Sequence, residues 1–215
     1  MDTHNTFQHG AGLDLPEISS ITTVHEPTIK DVIANYERLK SAIARRQALT
    51  AEHSIRVRIC ATSLGFACRL TGSEITTLSI AAEIHDIGKL QMPTSILYKP
   101  EPLIQEEWAI MRKHPAWGAK VAAVSFPSMP EVARCIMLHH ERLDATGYPN
   151  ALGTDDIPFV VRILSVADAF SALTEERPFR RAYSEEDAFR IMMHDEAGRY
   201  DEFVLEILER IRLSR

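Results

Sequence analysis

Cysteine is scarce in this 215-residue chain: only Cys60, Cys68 and Cys135 occur, with no CxxC pair. An odd, widely spaced set excludes a disulfide framework and reads as reduced thiols in a cytoplasmic protein. Long apolar runs are missing too. The nearest to the ~18 residues of a membrane span covers Ile157 to Phe170 and carries Arg162 and Asp168. The opening MDTHNTFQHG lacks the basic start and apolar core of a signal peptide. There is no basic excess either. The net charge of −6 argues against non-specific nucleic-acid binding and obliges an anionic substrate to find positive charge locally. No period-two alternation persists and no internal repeat is visible, so a sheet architecture is excluded. Charged residues at 25% and hydrophobic residues at 45% exclude a disordered, collagen-like or coiled-coil chain.

Helical periodicity is what remains. Residues 1–27 mix Gly, Ser, Thr, Pro and His without a period and read as a flexible tail; residues 28–215 read as one all-α domain. Val32, Ile33, Tyr36, Leu39 and Ile43 mark a first helix. A second runs from about Ala51 to Leu70, with Ile55, Ile59, Leu64 and Ala67 along one side. Ser73 is the expected N-cap of a third helix ending at His85-Asp86-Ile87, with Gly88 as its stop. A fourth begins near Ile104 and runs into His114-Pro115. Another leads from Pro130 to His139-His140, and a Gly/Pro/Asn/Asp loop fills 144–158. The stretch Phe159 to Leu173 is apolar almost all round and predicts a helix buried mid-domain. Two more helices follow, from about Ser184 and about Asp201.

Seven potential ligands stand at helix ends or in buried helices: His53, His85, Asp86, His114, His139, His140 and Asp168. The gaps His53–His85, Asp86–His114, His114–His139 and His140–Asp168 are 32, 28, 25 and 28 residues. Each is about one helix out and one back, so all can return to one end of a bundle. Adjacent ligands on a helix diverge by about 100°, which suits two neighbouring metals better than one. Asp168 is the most informative residue, because an unpaired carboxylate in an apolar helix costs several kcal/mol.

These residues carry a resemblance. His85-Asp86-Ile87-Gly88-Lys89 resembles the HD-superfamily metal signature. His139-His140-Glu141-Arg142, followed by Asp144-Ala145-Thr146-Gly147-Tyr148-Pro149, resembles the second signature of the HD-GYP family. His114-Pro115 and VRILSVADAFSALTEERPFR over 161–180 fit that family's order, so the likeness covers roughly residues 45–200. It implies a helical bundle of the HD type and a metal-dependent phosphodiesterase of the bacterial messenger cyclic di-GMP. Its cofactors would be two divalent ions, Fe or Mn, activating a hydroxide. Asp86 would bridge them, with His53, His85 and Asp168 on one ion and His114, His139 and His140 on the other. Asp86 and Lys89 would be catalytic, Lys89 neutralising charge on the phosphoryl or leaving oxygen. A helix-end lysine complementing the dipole is the plainer alternative. Arg177 and Arg180 resemble phosphate-contacting residues. Tyr148 would stack on guanine or shape the pocket, and Glu141 and Arg142 would orient the His pair.

Four positions depart from the pattern. Leu49 stands where some members carry a ligating Glu, which favours two metals over three and pGpG over GMP as product. Ala145 replaces a loop glycine and would cost roughly 1 kcal/mol at positive φ. Ser171 and Thr94 stand where other residues are common. Two further functions therefore remain open: a metal-loaded but weakly active receptor or interaction module, and an HD phosphohydrolase for another nucleotide. The expected partners are cyclic di-GMP and a diguanylate cyclase (GGDEF) domain protein, with no nucleic acid and no membrane. With only 27 residues ahead of the domain, control is expected from a partner or from metal supply.

Overall fold

Capping residues and apolar stripes set the helices. In this computed structural model residues 28–46, 48–176 and 181–213 are described; the expected tail over 1–27, Arg177, Arg180 and the side chain of Leu49 lie outside them. Helix α1 spans Ile29–Arg46, α2 Ala48–Ala67 and α3 Gly72–Ile84, followed by a 3-10 turn over Ile87–Gln91. Short α4 (Thr94–Leu97) and α5 (Gln105–Met111) lead to α6 (His114–Ser125) and α7 (Pro130–Leu138). After a long loop come α8 (Phe159–Leu173), α9 (Glu185–Arg190) with a π turn, and α10 (Glu202–Leu213). The described residues contain no strand, only an isolated bridge between Asp144 and Gly153. None of their helices is long and apolar enough to cross a membrane.

Several boundaries differ from the sequence reading, each for a local reason. Thr71, not Ser73, caps α3: its hydroxyl accepts from the Glu74 amide while Glu74 accepts from the Thr71 amide, a reciprocal capping box. Pro115 opens α6 instead of ending the helix before it, because a first-turn proline gives up an amide that has no helical partner anyway. On α2, Ile55 and Ile59 are exposed, and the buried side is His53, Ser54, Val57, Cys60, Ala61 and Leu64. That side faces α3 and α8, both of which α2 packs against.

Helix α8 is the central element, packed on α2, α3 and α7. It spans the predicted range and buries Val161, Ile163, Leu164, Val166 and Phe170 completely or nearly so. Each such side chain contributes roughly 1.5–3 kcal/mol. Together they offset the several kcal/mol that a buried carboxylate costs, so the helix can carry Asp168 inward. Where the 3-10 turn meets the start of α6, the two backbones touch. A Cβ on Gly88 would lie 2.0 Å from the His114 carbonyl oxygen and 2.6 Å from the Gly118 amide. Gly88 is therefore a packing glycine, and not the left-handed helix stop expected from the sequence. Its contact fixes Asp86 against His114.

Candidate metal centre

Three of the histidines occupy the same kind of position. His85 follows α3, His139 follows α7, and His114 lies three residues beyond the last residue of α5. The last carbonyls of a helix have no amide partner. Each of these rings takes the carbonyl three residues back on Nδ1: Ala82 at 2.8 Å, Met111 at 2.8 Å and Ile136 at 2.6 Å. With Nδ1–H committed to a carbonyl, the neutral ring carries its lone pair on Nε2, aimed at a common centre.

The predicted ligands meet at that centre. Donor atoms of Asp86, His114, His139 and His140 lie within 4.8 Å of one another, as do those of His53, His85 and Asp86, and those of His85, His139 and Asp168. Asp86 belongs to the first two sets at once. His114 Nε2 is 3.3 Å from Asp86 Oδ1 and 3.4 Å from His139 Nε2. His53 Nε2 is 3.0 Å from Asp168 Oδ1, and His140 Nδ1 is 3.9 Å from Asp168 Oδ2. All but His140 are buried.

The chemistry of this donor set fits a cation. Asp86 Oδ1 is buried with no hydrogen-bond donor. The nearby His114 Nε2 cannot supply one in the neutral ring, because that ring's proton is on Nδ1. In the neutral form that metal binding requires, Nε2 of His114 and of His139 would face each other and Asp86 as lone pairs, an arrangement a metal ion relieves. Burial opposes the charge on Asp86, yet Lys89 and His85 beside it hold the carboxyl well below its usual range. Asp168 is likewise buried and held low by His53 and His85. Burial, reinforced by His85 and His114, pushes His139 down to about 3, and burial beside His139 pushes His140 well down. The carboxylates are thus ionised and these two imidazoles neutral, the forms that bind metals. His53 is the exception: burial lowers it, but bonds to Asp168 and Glu175 outweigh that and raise it to about 9.

The centre opens into a cleft of about 1080 Å³ whose lining includes Arg56, Lys89, Lys99 and Arg142. Glu52, Glu175, Glu176, Glu196, Asp86 and Asp168 line it as well, so the cations are individual points in a mixed lining. Lys89 lines the cleft but donates to Asp86 Oδ2 at 2.6 Å. The Tyr148 ring packs on His140, centroids 4.7 Å apart, and edge-on to His114, with the Arg112 guanidinium 5.8 Å from its centroid. Burial and the charges of Asp86 and Asp168 push its hydroxyl pKa up. It covers the imidazoles.

One expected role changes, and the other is carried through the backbone. Glu141 does not orient the His pair. Its buried carboxylate accepts the amides of Asn150 at 2.7 Å and Leu152 at 2.9 Å and so pins the loop that carries Tyr148. Arg142 donates to the carbonyls of His139 and Glu141 and lies over Tyr200. Within the loop, a Cβ on Gly147 would lie 2.4 Å from the Arg142 amide, and Ala145 does sit at positive φ, 60°. Ser171 is buried in α8. Sequence reading missed two supporting groups. The Ser165 hydroxyl donates to the His139 carbonyl at 2.6 Å, and spacing held its signal, since Ser165 lies one turn before Asp168. Glu175, 3.0 Å from His53 Nδ1, belongs to no pattern.

With this geometry in hand, the relatives can be set beside it. The family model for the HD domain matches residues 30–204. A 3′3′-cGAMP-specific phosphodiesterase of Vibrio cholerae is 33% identical over 203 residues, which is 94% of this chain and 38% of the relative. The cyclic di-GMP phosphodiesterase response regulator RpfG of Xanthomonas campestris is 35% identical, covering 75% of this chain and 43% of its own. The chain thus spans about two-fifths of the length of these relatives. An HDG“Y”P protein from Bdellovibrio bacteriovorus superposes with a TM-score of 0.64 at 21% identity, over 84% of this chain and 61% of that one. A cyclic GMP-AMP-specific phosphodiesterase of V. cholerae superposes at 0.62 and 17%, over 84% and 48%. These two likenesses concern the fold. The family match over most of the chain, together with the ordered HisAsp, HisHis and Gly-Tyr-Pro motifs, shows that this protein belongs to the HD-domain family and is of its HD-GYP type.

Proposed function

We propose that the protein is a metal-dependent phosphodiesterase that hydrolyses cyclic di-GMP. The observation that carries this reading is Asp86, a buried ionised carboxylate shared by two converging ligand sets, beside a cleft that Arg56, Lys89, Lys99 and Arg142 help to line. His53, His85 and Asp168 complete one set; His114, His139 and His140 complete the other. Divalent ions held there, of the iron or manganese class that mixed imidazole and carboxylate donors suit, supply Lewis acidity and activate water. The chain's residues do the rest. Arg56, Lys99 and Arg142 attract and orient the substrate's phosphates in the cleft. Lys89, held by Asp86, offsets the charge that grows on the departing oxygen. Tyr148 keeps bulk water off the imidazoles it covers.

The reaction adds water to one phosphodiester. The P–O3′ bond breaks, the 3′ oxygen leaves with a proton, and the linear product pGpG keeps a 5′-phosphate. Arg177 and Arg180 are proposed as further phosphate contacts. Reading Leu49 as a non-ligand favours two ions and pGpG over full hydrolysis to GMP. The proposal extends to a cytoplasmic location, where the three thiols stay free, and to a diguanylate cyclase (GGDEF) domain protein as partner.

A second reading is hydrolysis of 3′3′-cGAMP, favoured by the relative of that specificity that aligns over 94% of the chain. The deciding experiment is turnover of both cyclic dinucleotides by protein reconstituted anaerobically with Mn(II) or Fe(II). Products are separated by chromatography and metal is counted in the same sample. Faster release of pGpG or GMP, with about two ions per chain as two ligand sets sharing Asp86 would hold, supports the first reading. Preference for cGAMP supports the second. Bound metal with no product from either overturns both, in favour of a receptor.

A further inference from the structure

His53 is held differently from His85, His114 and His139. His85, His114 and His139 each use an orphan carbonyl at a helix end. His53 is the sixth residue of α2, and the carbonyl three residues back, that of Thr50, belongs to the helix ladder. A histidine there has no backbone acceptor of its own. Nothing local decides which nitrogen carries the proton or which way the ring faces.

Glu175, just beyond the end of α8, fills that gap. Its Oε2 lies 3.0 Å from His53 Nδ1, and its side chain is 12% exposed. The same oxygen is bonded by the Arg56 guanidinium, one turn further along α2 than His53. The two α2 side chains thus converge on one carboxylate that follows α8, the helix that carries Asp168. Arg56 also lines the cleft, so this ion pair sits at the mouth of the centre.

We infer that Glu175 is a positioning residue of the metal centre: it accepts a hydrogen bond from His53 Nδ1–H and so turns Nε2 toward Asp168 and the ligand cluster. Arg56 fixes the carboxylate for that task. The inference rests on the proposed reading of the cluster as a metal centre. Its physical basis is general: an imidazole ligand binds well when its other nitrogen donates to a fixed acceptor, and a carboxylate also makes the ring a stronger base. Backbone carbonyls do this for His85, His114 and His139, and a side chain does it for His53.

The test is a titration of the metal-stripped full chain with Mn(II), read as stoichiometry and affinity against a competing chelator, in wild type, Glu175→Ala and Glu175→Gln. Removing such an outer partner costs about 10–100-fold in metal affinity, and that loss is expected for the ion held through His53 in Glu175→Ala. The other ion and the melting temperature of the stripped protein should stay as in wild type. Gln keeps an oxygen that accepts Nδ1–H, so Glu175→Gln should recover most of the affinity, a rescue that a merely structural role would not give. Unchanged affinity in the Ala variant overturns the inference, and so does equal weakening in Ala and Gln. A wild-type chain that takes up no Mn(II) is a different result, which removes the metal-centre reading itself and this inference with it.

Discussion

Gly88→Ala adds one methyl group to a residue that binds nothing, yet it should disable the centre. The new Cβ would lie 2.0 Å from the His114 carbonyl oxygen, 2.6 Å from the Gly118 amide and 2.9 Å from the His114 carbonyl carbon. All three are backbone atoms, so no side chain can swing away. Ordinary contact begins near 3.4 Å. The 3-10 turn and the start of α6 must therefore separate by about 1 Å, and a displacement of that size at a reacting centre costs on the order of 10²-fold in rate. Asp86 and Lys89 lie within two residues on one side of this contact and His114 on the other, so the shift opens the 3.3 Å approach of His114 Nε2 to Asp86 Oδ1. Overpacking of this kind also lowers stability by roughly 1–3 kcal/mol. Gly72→Ala is the comparison: nothing lies within 4 Å of its Cβ position, so it should be neutral or up to about 0.5 kcal/mol stabilising. The measurements are thermal unfolding of the metal-free proteins, metal per chain after gel filtration, and turnover at saturating substrate. Wild-type metal content and turnover in Gly88→Ala would refute the reasoning.

Four more outcomes are expected. Asp86→Ala should lose metal from both ligand sets and with it all turnover, measured as metal per chain and product formed. Lys89→Ala should keep its metal while kcat falls about 10²-fold; full activity would remove Lys89 from the mechanism. Glu141→Ala strips the acceptor from the amides of Asn150 and Leu152, at about 1–3 kcal/mol for each unsatisfied group, and chemical denaturation should show a loss of about 2–4 kcal/mol. Ala145→Gly relieves a left-handed backbone at φ 60° and should raise stability by about 0.5–1 kcal/mol, measured the same way.

The parts of this molecule legible in the sequence are those set by local pattern. Helix α8 spans the predicted Phe159 to Leu173, since an all-round apolar stretch ending at a solvated turn has few other solutions. The converging HisAsp and HisHis pairs followed from loop arithmetic. What the sequence hid depends on tertiary approach. Ile55 and Ile59 look like a core stripe, but α2 turns His53 and Ser54 inward, because the centre lies between α2, α3 and α8. Gly88 looks like a helix stop because glycine's two uses, conformation and close approach, share one letter. Glu141 sits beside the His pair in sequence and looks like its support. Its carboxylate is claimed instead by amides nine and eleven residues away, a pairing that exists only once the loop has closed.

A rule of placement unites the ligands and says why sequence found them more readily than it found their supports. A histidine just past a helix end solves two problems with one ring: Nδ1 satisfies a carbonyl the helix leaves unpaired, and Nε2 faces outward from the helix terminus. His85, His114 and His139 all do this, with Nδ1 distances between 2.6 and 2.8 Å. The acceptor is supplied by backbone, so it leaves no trace in residue identity and needs none. His53 breaks the rule by sitting inside a helix, and there the acceptor must be a side chain. Any substitution at 175 that cannot accept a proton should therefore be felt at His53. No comparable side-chain change exists for the other three, whose acceptor is a peptide carbonyl that mutation leaves in place. The centre is thus robust where helix ends orient His85, His114 and His139, and vulnerable at His53, whose orientation depends on Glu175.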